Sequence, residues 1–530
     1  MRHPRFETSR MGLLALAMAA VAALLPAVAD ARADLDLAPS QFAPSETAPQ
    51  YETDDYGIEQ VSAEAVTRPD PDLPDVSKYN GEAVEQRLAQ RPAEAPNVSV
   101  ERIAGVSALG DFVDEGRARE WVIRQFSHPQ AILVNSGKAT LDDVYEQVND
   151  TRYMERNDDG SYIIRLPLVV RPGATLEIRD QTLRLSEERG AFIANDSFLF
   201  VIDSTIVGWR EKTGAPAVFQ KKSNFRPFFV GWGGSETFVL GSEFAHLGYN
   251  QSKSYGFSIA QYSKYDNARL KRSAPHAWLV DSKFRDIYYG FYCYEAEDVA
   301  IVNNVYEDNI VYGIDPHDYS SNLLIAGNHV YGTKEKHGII ISRQVNDSWI
   351  LDNRSHDNGL SGIVLDRQSR NNVVANNVVH DNQGDGIGLY ESPDNLLWGN
   401  RLVNNLRNGI RVRNSTDVGV YHNIAALNGT FGVLGQVKDL SATDRDFEED
   451  FYHQAVSMTV VGGKLAANAS GPLSTDNPQY IGLYDVDMRF PRSDVGIHFD
   501  GVLGRYQTEI FDALLNQQRA VRVQPTATTD

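Results

Sequence analysis

Asn353-Arg-Ser-His-Asp-Asn358-Gly-Leu-Ser-Gly362-Ile-Val-Leu-Asp366 is followed 24 residues later by Asn377-Val-Val-His-Asp-Asn382-Gln-Gly-Asp-Gly386-Ile-Gly-Leu-Tyr390. The two stretches are one unit, repeated. Gly-apolar pairs recur at Gly290-Phe, Gly313-Ile, Gly338-Ile, Gly362-Ile, Gly386-Ile, Gly409-Ile and Gly432-Val, in steps of 23, 25, 24, 24, 23 and 23 residues. Asparagines keep the same step at Asn304, Asn328, Asn353, Asn377, Asn400 and Asn423, and a second column follows five residues later at Asn309, Thr333, Asn358, Asn382, Asn405 and Asn428. A period of this size marks stacked units, each too small to bury a core alone. The units are short, β-branched and rich in Asn and Gly, with no helical apolar period. Each reads as one coil of a right-handed parallel β-helix. Asparagine suits the coil corners, because it tolerates unusual backbone angles and its amides can bond to one another along the axis.

The register then places side chains. The residue after each Gly is apolar and points inward, so alternation puts the second and fourth positions outward on one face. In one coil these are Asp315 and His317, in the coil before Tyr292 and Tyr294, and in a later coil Arg411 and Arg413. The third position points inward and includes the only cysteine, Cys293, which reads as a buried thiol. Adjacent coils lie ~4.8 Å apart, so His317 can meet one sugar of a chain whose neighbours cross the next coils.

The 530 residues carry a net charge of −21. This argues against nucleic acid as a partner. The charge is unevenly spread. Residues 34–80 hold eleven acidic and two basic residues and six prolines, while Lys334, Lys336, Arg343, Arg367, Arg407, Arg411 and Arg413 surround the repeat. Residues 1–33 read as a secretory signal: Arg2, Arg5 and Arg10 precede an apolar run, and Ala31-Arg-Ala33 offers a cleavage site. No later segment is apolar enough to span a bilayer. Residues 34–80 form an acidic, Pro-rich leader, disordered or extended. Residues 81–160 mix helix and strand, with a Thr140 N-cap and Asp143 three later starting a short helix. Residues 161–435 make the β-helix and 436–530 a β/helix capping region. The 34-residue step from Gly256 to Gly290 predicts a loop of about ten residues near Ala260–Ala274, inserted into one coil.

The chemistry must come from residues, not from the fold. Glycoside hydrolysis needs two carboxylates flanking the bond, and drawing that pair from Asp315, Asp318 and Asp366 would leave His317 idle. A calcium-assisted lyase needs more clustered carboxylates than Asp315 and Asp318 supply. Proton abstraction beside a sugar carboxylate needs a base and a cation. His317 is a good base, flanked by two aspartates, and Arg343 in the next coil can grip both carboxylate oxygens. Arg343 falls five after its Gly where His317 falls four after, so a bulge is expected to turn it outward.

Tyr312-Gly-Ile-Asp-Pro-His-Asp318 resembles the YG-x-DPH signature of the mannuronan C5-epimerases. The signal sequence, the coil ladder and the N-terminal extension are similar to the periplasmic branch of that family. The resemblance implies that His317 removes the C5 proton of β-D-mannuronate within polymannuronate or alginate. Arg343 would neutralise the uronate carboxylate, and a proton would return from the opposite face to give α-L-guluronate. Tyr312 matches a family tyrosine linked to catalysis, Asp315 and Asp318 are read as orienting His317 and closing the turn beside the substrate, and His337, Arg367 and Arg411 are candidate substrate-binding residues. The Gly-Gly-x-Gly-x-Asp repeats of the secreted epimerases are not in the sequence, so the periplasmic branch is favoured and no cofactor or metal is expected. The implied setting is the periplasm, among other alginate biosynthesis and secretion proteins. Two alternatives stand beside this reading. One is a polyuronate lyase, sharing base and cation but expelling the C4 oxygen. The other is a non-catalytic scaffold guiding polymer through a secretion complex.

Overall fold

The computed structural model describes residues 56–114, 116–125, 128–492 and 496–526. The expected secretory signal and the leader up to residue 55 lie outside the described residues. The described chain winds into a parallel β-helix with three long walls, sheets of 15, 15 and 14 strands. Each coil gives one strand to each wall, as in Ala300–Val302, Val305–Glu307 and Tyr312–His317. The third of these lies in the wall that carries the DPHD stretch, between Tyr289–Tyr294 and Ile339–Ser342.

The inward register is as the Gly-apolar pairs require. Phe291, Ile314, Ile339, Ile363, Ile387, Ile410 and Val433 are fully buried and belong to one continuous core. Cys293 is buried at the third position, and burial pushes its thiol up to about 12, which leaves it inert as a nucleophile. The Gly column answers to space rather than to backbone angle. A Cβ on Gly313 would meet the Gly338 carbonyl oxygen and the Val330 side chain, each at 2.5 Å.

The asparagines form two buried amide ladders. In the first, Nδ2 of Asn304, Asn328, Asn353, Asn377 and Asn400 donates to Oδ1 of the next member at 2.9–3.2 Å. In the second, Asn358, Asn382 and Asn405 repeat the contact, and Asn428 hands it on to Asn468. Each Oδ1 also accepts the backbone N–H of the preceding coil's asparagine, as Asn377 does for Asn353 at 2.9 Å. The left-handed backbone expected of these asparagines falls one residue earlier, at Asn303, Asp352, Asn376 and His422. The ladder residues therefore keep ordinary angles, and their role is hydrogen bonding rather than tolerance of a turn.

The ends are covered. Leu141–Val148 begins with the Thr140–Asp143 capping box that the sequence suggests. Short helices over 502–516 pack onto the last coils through Leu503, Ile510 and Ala513. The leader departs from the disordered expectation. Tyr56–Val61 is a strand paired antiparallel with Ala520–Pro525, and Val76 and Tyr79 pack on the outside of the first wall near Trp278. Its apolar residues are sparse but spaced to meet that wall. The C-terminal strand pairs with Tyr56–Val61 through Pro525. The insertion near Ala260–Ala274 is a helix, Lys264–Leu270, capped by Ser263.

The ladders should carry stability. Asn377→Ala orphans the Asn353 N–H and the Ile350 carbonyl, and should lower unfolding free energy by roughly 1–3 kcal/mol. A denaturant midpoint equal to that of the unsubstituted protein would show the ladder to be ornamental.

Candidate active site

The DPHD strand owes its local shape to its neighbours. Tyr289, Tyr292 and Tyr294 pair in register with Tyr312, Asp315 and His317. Outward-facing residues of the two coils therefore stand side by side. They line a pocket of about 430 Å³ together with Ser252, Lys253, Tyr255, Ser263 and Lys264. Its wall is aromatic: Tyr255 stacks on Tyr289 at 4.5 Å between ring centroids, and Tyr289 meets Tyr312 edge-on at 5.1 Å. Such faces suit the apolar face of a sugar ring.

His317 is partly exposed at the pocket edge, with Nδ1 2.9 Å from Asp318 Oδ2, within ion-pair reach though off the line of a hydrogen bond. Burial pulls the imidazole's pKa down, but Asp318 and Asp315 outweigh it and the net shift is upward. Asp315 is 1% exposed and its Oδ1 has no hydrogen-bond partner. Burial pushes its carboxyl up to about 7, against the pull of His317.

Arg343 comes to the same place by a different route from the bulge expected of it. Its coil keeps register, with His317 opposite Ser342. Arg343 instead occupies the column of Asp318, at the strand's end, where Arg343 and Gln344 both take left-handed angles. That turn swings its side chain out. Nη1 lies 3.4 Å from Asp318 Oδ1, so one carboxylate touches both the imidazole and the guanidinium. The fork of Arg343 also holds Asp450, Nε at 2.8 Å and Nη2 at 3.0 Å.

The other expected residues divide. Tyr312 lines the pocket, and its hydroxyl accepts from Lys336 Nζ at 3.2 Å. His337 stacks against Tyr312 at 6.1 Å. Its Nδ1 accepts the Ser361 N–H at 3.1 Å, and burial drives its pKa to about 4, so it is neutral with Nε2 as its donor. Arg367 sits one coil beyond Arg343 and also reaches Asp450, at 3.3 Å. Arg411 is not brought to His317. It lies four coils along, ~19 Å at the ordinary strand spacing, bonded to Gln436 at 2.5 Å. Most of the basic cluster is likewise committed: Lys334 to Asp286, Arg413 to Glu391.

Sequence reading missed Lys253, Tyr255, Tyr289 and Asp450. Tyr289 carried a signal, since it precedes Gly290 as Tyr312 precedes Gly313. Lys253 is buried, donates to Asp111 Oδ2 and the Gln261 carbonyl, each at 2.9 Å, and lies over the Tyr294 ring. That contact ties the N-terminal segment to the pocket floor, and no local pattern announces it.

An imidazole and a guanidinium joined through one carboxylate, on the outer face of a β-helix, are an arrangement that can serve proton abstraction beside an anionic group. The chain is 50% identical over 475 residues to the mannuronan C5-epimerase AlgG of Azotobacter vinelandii, covering 88% of this chain and 89% of that one. It is 51% identical to the mannuronan C5-epimerase of Pseudomonas aeruginosa, covering 87% and 85%. A crystal structure of the periplasmic alginate epimerase AlgG superposes with a TM-score of 0.78 at 46% identity, covering 80% of this chain and all of that one. A family model described as periplasmic copper-binding protein (NosD) matches residues 250–435, the regular coils. Among the described residues no group of three or more His, Cys, Asp or Glu is placed to hold a metal ion. The chain belongs to the mannuronan C5-epimerase family.

Asp318 should govern the titration of His317. Its negative charge favours the imidazolium, so Asp318→Asn should move the His317 transition, followed by imidazole proton NMR, to lower pH. A transition that stays in place would remove Asp318 from that role.

Proposed function

We propose that the protein epimerises C5 of β-D-mannuronate residues within polymannuronate, with His317 as the base and Arg343 as the carboxylate clamp. Kinship at about half identity along most of the chain supports the activity. The observation that carries the residue assignment is the shared Asp318 carboxylate, which sets His317 and Arg343 side by side at the pocket edge.

With Nδ1 turned to Asp318, Nε2 of neutral His317 is the atom that takes the C5 proton. The electron pair left at C5 delocalises into the uronate carboxylate. Arg343, aided by Arg367, stabilises the charge that gathers there. A water molecule returns a proton to the opposite face of C5 and completes inversion, and the proton on His317 then neutralises the hydroxide left behind, restoring the free imidazole. The pocket tyrosines hold the ring. Tyr289 and Tyr292 are kept protonated by burial, with pKa values well above the ordinary value, so they act as neutral hydrogen-bond donors. Neutral His337 fits a sugar hydroxyl, and Arg411 fits the carboxylate of a residue several sugars away.

The site of action we infer is the periplasm, in keeping with the Arg-led apolar run at the N-terminus and with the solved relative, a periplasmic alginate epimerase. Other alginate biosynthesis and secretion proteins are the partners that such a setting implies.

His317→Ala should reduce exchange of the C5 proton with deuterated water by roughly 10²–10⁴-fold, while polymer binding persists. Arg343→Ala should weaken both exchange and binding. Full exchange in His317→Ala excludes it as the base. Unsaturated sugar absorbance with falling polymer length in the unsubstituted protein would instead establish the lyase reading.

A further inference from the structure

Residues 437–456 join two strands, Phe431–Gln436 and Ser457–Val461, by a detour across coils that lie well before them in the sequence. The detour is pinned at several points. Arg445 Nη2 reaches Glu391 Oε2 at 2.9 Å, Gln368 Nε2 donates to the Phe451 carbonyl at 2.9 Å, and Glu449 lies 3.4 Å from Arg343. At its centre is Asp450, whose side chain is 4% exposed. Its two oxygens divide between Nε and Nη2 of Arg343, and Oδ2 also meets Nη1 of Arg367 at 3.3 Å.

This arrangement leaves Arg343 one corner, Nη1, turned toward Asp318 and through it toward His317. A guanidinium gripped along its Nε–Nη2 edge cannot rotate about its long stem without breaking two charge-assisted hydrogen bonds. A free Arg side chain on a turn would sample many rotamers and lose entropy on meeting each sugar. Asp450 also draws Arg367 of the next coil to the same point, so two guanidiniums converge.

We propose that Asp450 is a positioning residue of the epimerase reaction: it locks Arg343 so that the Nη1 corner of the guanidinium is presented beside His317, where the uronate carboxylate binds. The 437–456 strap is then part of the active site although it lies more than a hundred residues from the DPHD stretch. This inference rests on the reading of Arg343 as the carboxylate clamp.

The test is a double-substitution cycle read by C5 deuterium exchange on polymannuronate, with polymer binding and thermal melting measured alongside. Asp450→Asn keeps the size and removes the charge; Asp450→Ala removes both. Each should lose roughly 10–100-fold in kcat/KM, as for a misplaced catalytic group, with the loss in kcat, and with melting unchanged in Asp450→Asn. In the Arg343→Ala background Asp450→Asn should cost nothing further. An additive loss there places the role of Asp450 elsewhere. A gain in kcat/KM shows that the carboxylate competes with substrate for Arg343, and activity equal to the unsubstituted protein or a collapsed melting transition in Asp450→Asn overturns the proposal. Full activity of Arg343→Ala alone overturns the reading of the clamp itself, a result distinct from an Arg343 that is needed and an Asp450 that is not.

Discussion

Hydrogen bonding from coil to coil sets everything else in this molecule. Apart from the end strands, each parallel strand in the three walls borrows its partners from the turn before and the turn after, and at two corners the side-chain amides do the same. Asn377 shows the constraint: its amide donates to Asn400 and accepts from Asn353, so none of the three can shift along the axis alone. A buried amide with one partner missing is costly. The column therefore holds the rise per coil constant, and a constant rise makes one residue's position predict another's.

The site uses that regularity and then departs from it. His317 sits in a column with Tyr294, Ser342 and Asp366, and Arg343 in the next column with Asp318. Neither contact between them is direct. Asp318 bridges them, one oxygen to each, at the place where both chains leave the strand with left-handed angles. Electrostatics follows from the same geometry. Asp318 and Asp315 keep the net pKa shift of the His317 imidazole upward against burial and the nearby Arg367 guanidinium, and burial makes the Asp315 carboxyl reluctant to ionise.

Much of this was legible in the sequence because it repeats. Gly-apolar pairs revealed the coil length, alternation revealed that Cys293 and Ile314 face in, and the asparagine columns stand where their spacing put them. The fold was readable on those grounds, whereas the reading of the DPHD stretch came from its resemblance to a family signature. What escaped was whatever arises from contact between distant stretches. The strap carrying Asp450 lies where the period has faded, and nothing in its own sequence says which coil it crosses. Lys253 meets Asp111, 142 positions away, and a buried lysine on a loop carries no periodic mark. The route of Arg343 was misread as a bulge because the count from its glycine was compared with His317, whose own column ends one residue sooner. The leader was taken as disordered or extended from its charge and prolines, yet a few apolar residues at Val66, Val76 and Tyr79 suffice to hold it against the first wall.

The pairing of Tyr56–Val61 with Ala520–Pro525 bears on the order in which the structure can form. Coils can stack from the N-terminal side as soon as they exist, since each needs only its neighbour. The first wall cannot be finished that way. Its outermost strand comes from near the start of the described chain, and it docks on one supplied by the last residues. Until the whole polypeptide is available, Tyr56–Val61 waits without a partner and the far edge of the wall stays open to any other extended chain. The final closure is thus a late event that joins both termini of the described chain and leaves the short strand Tyr56–Val61 as the edge of that wall.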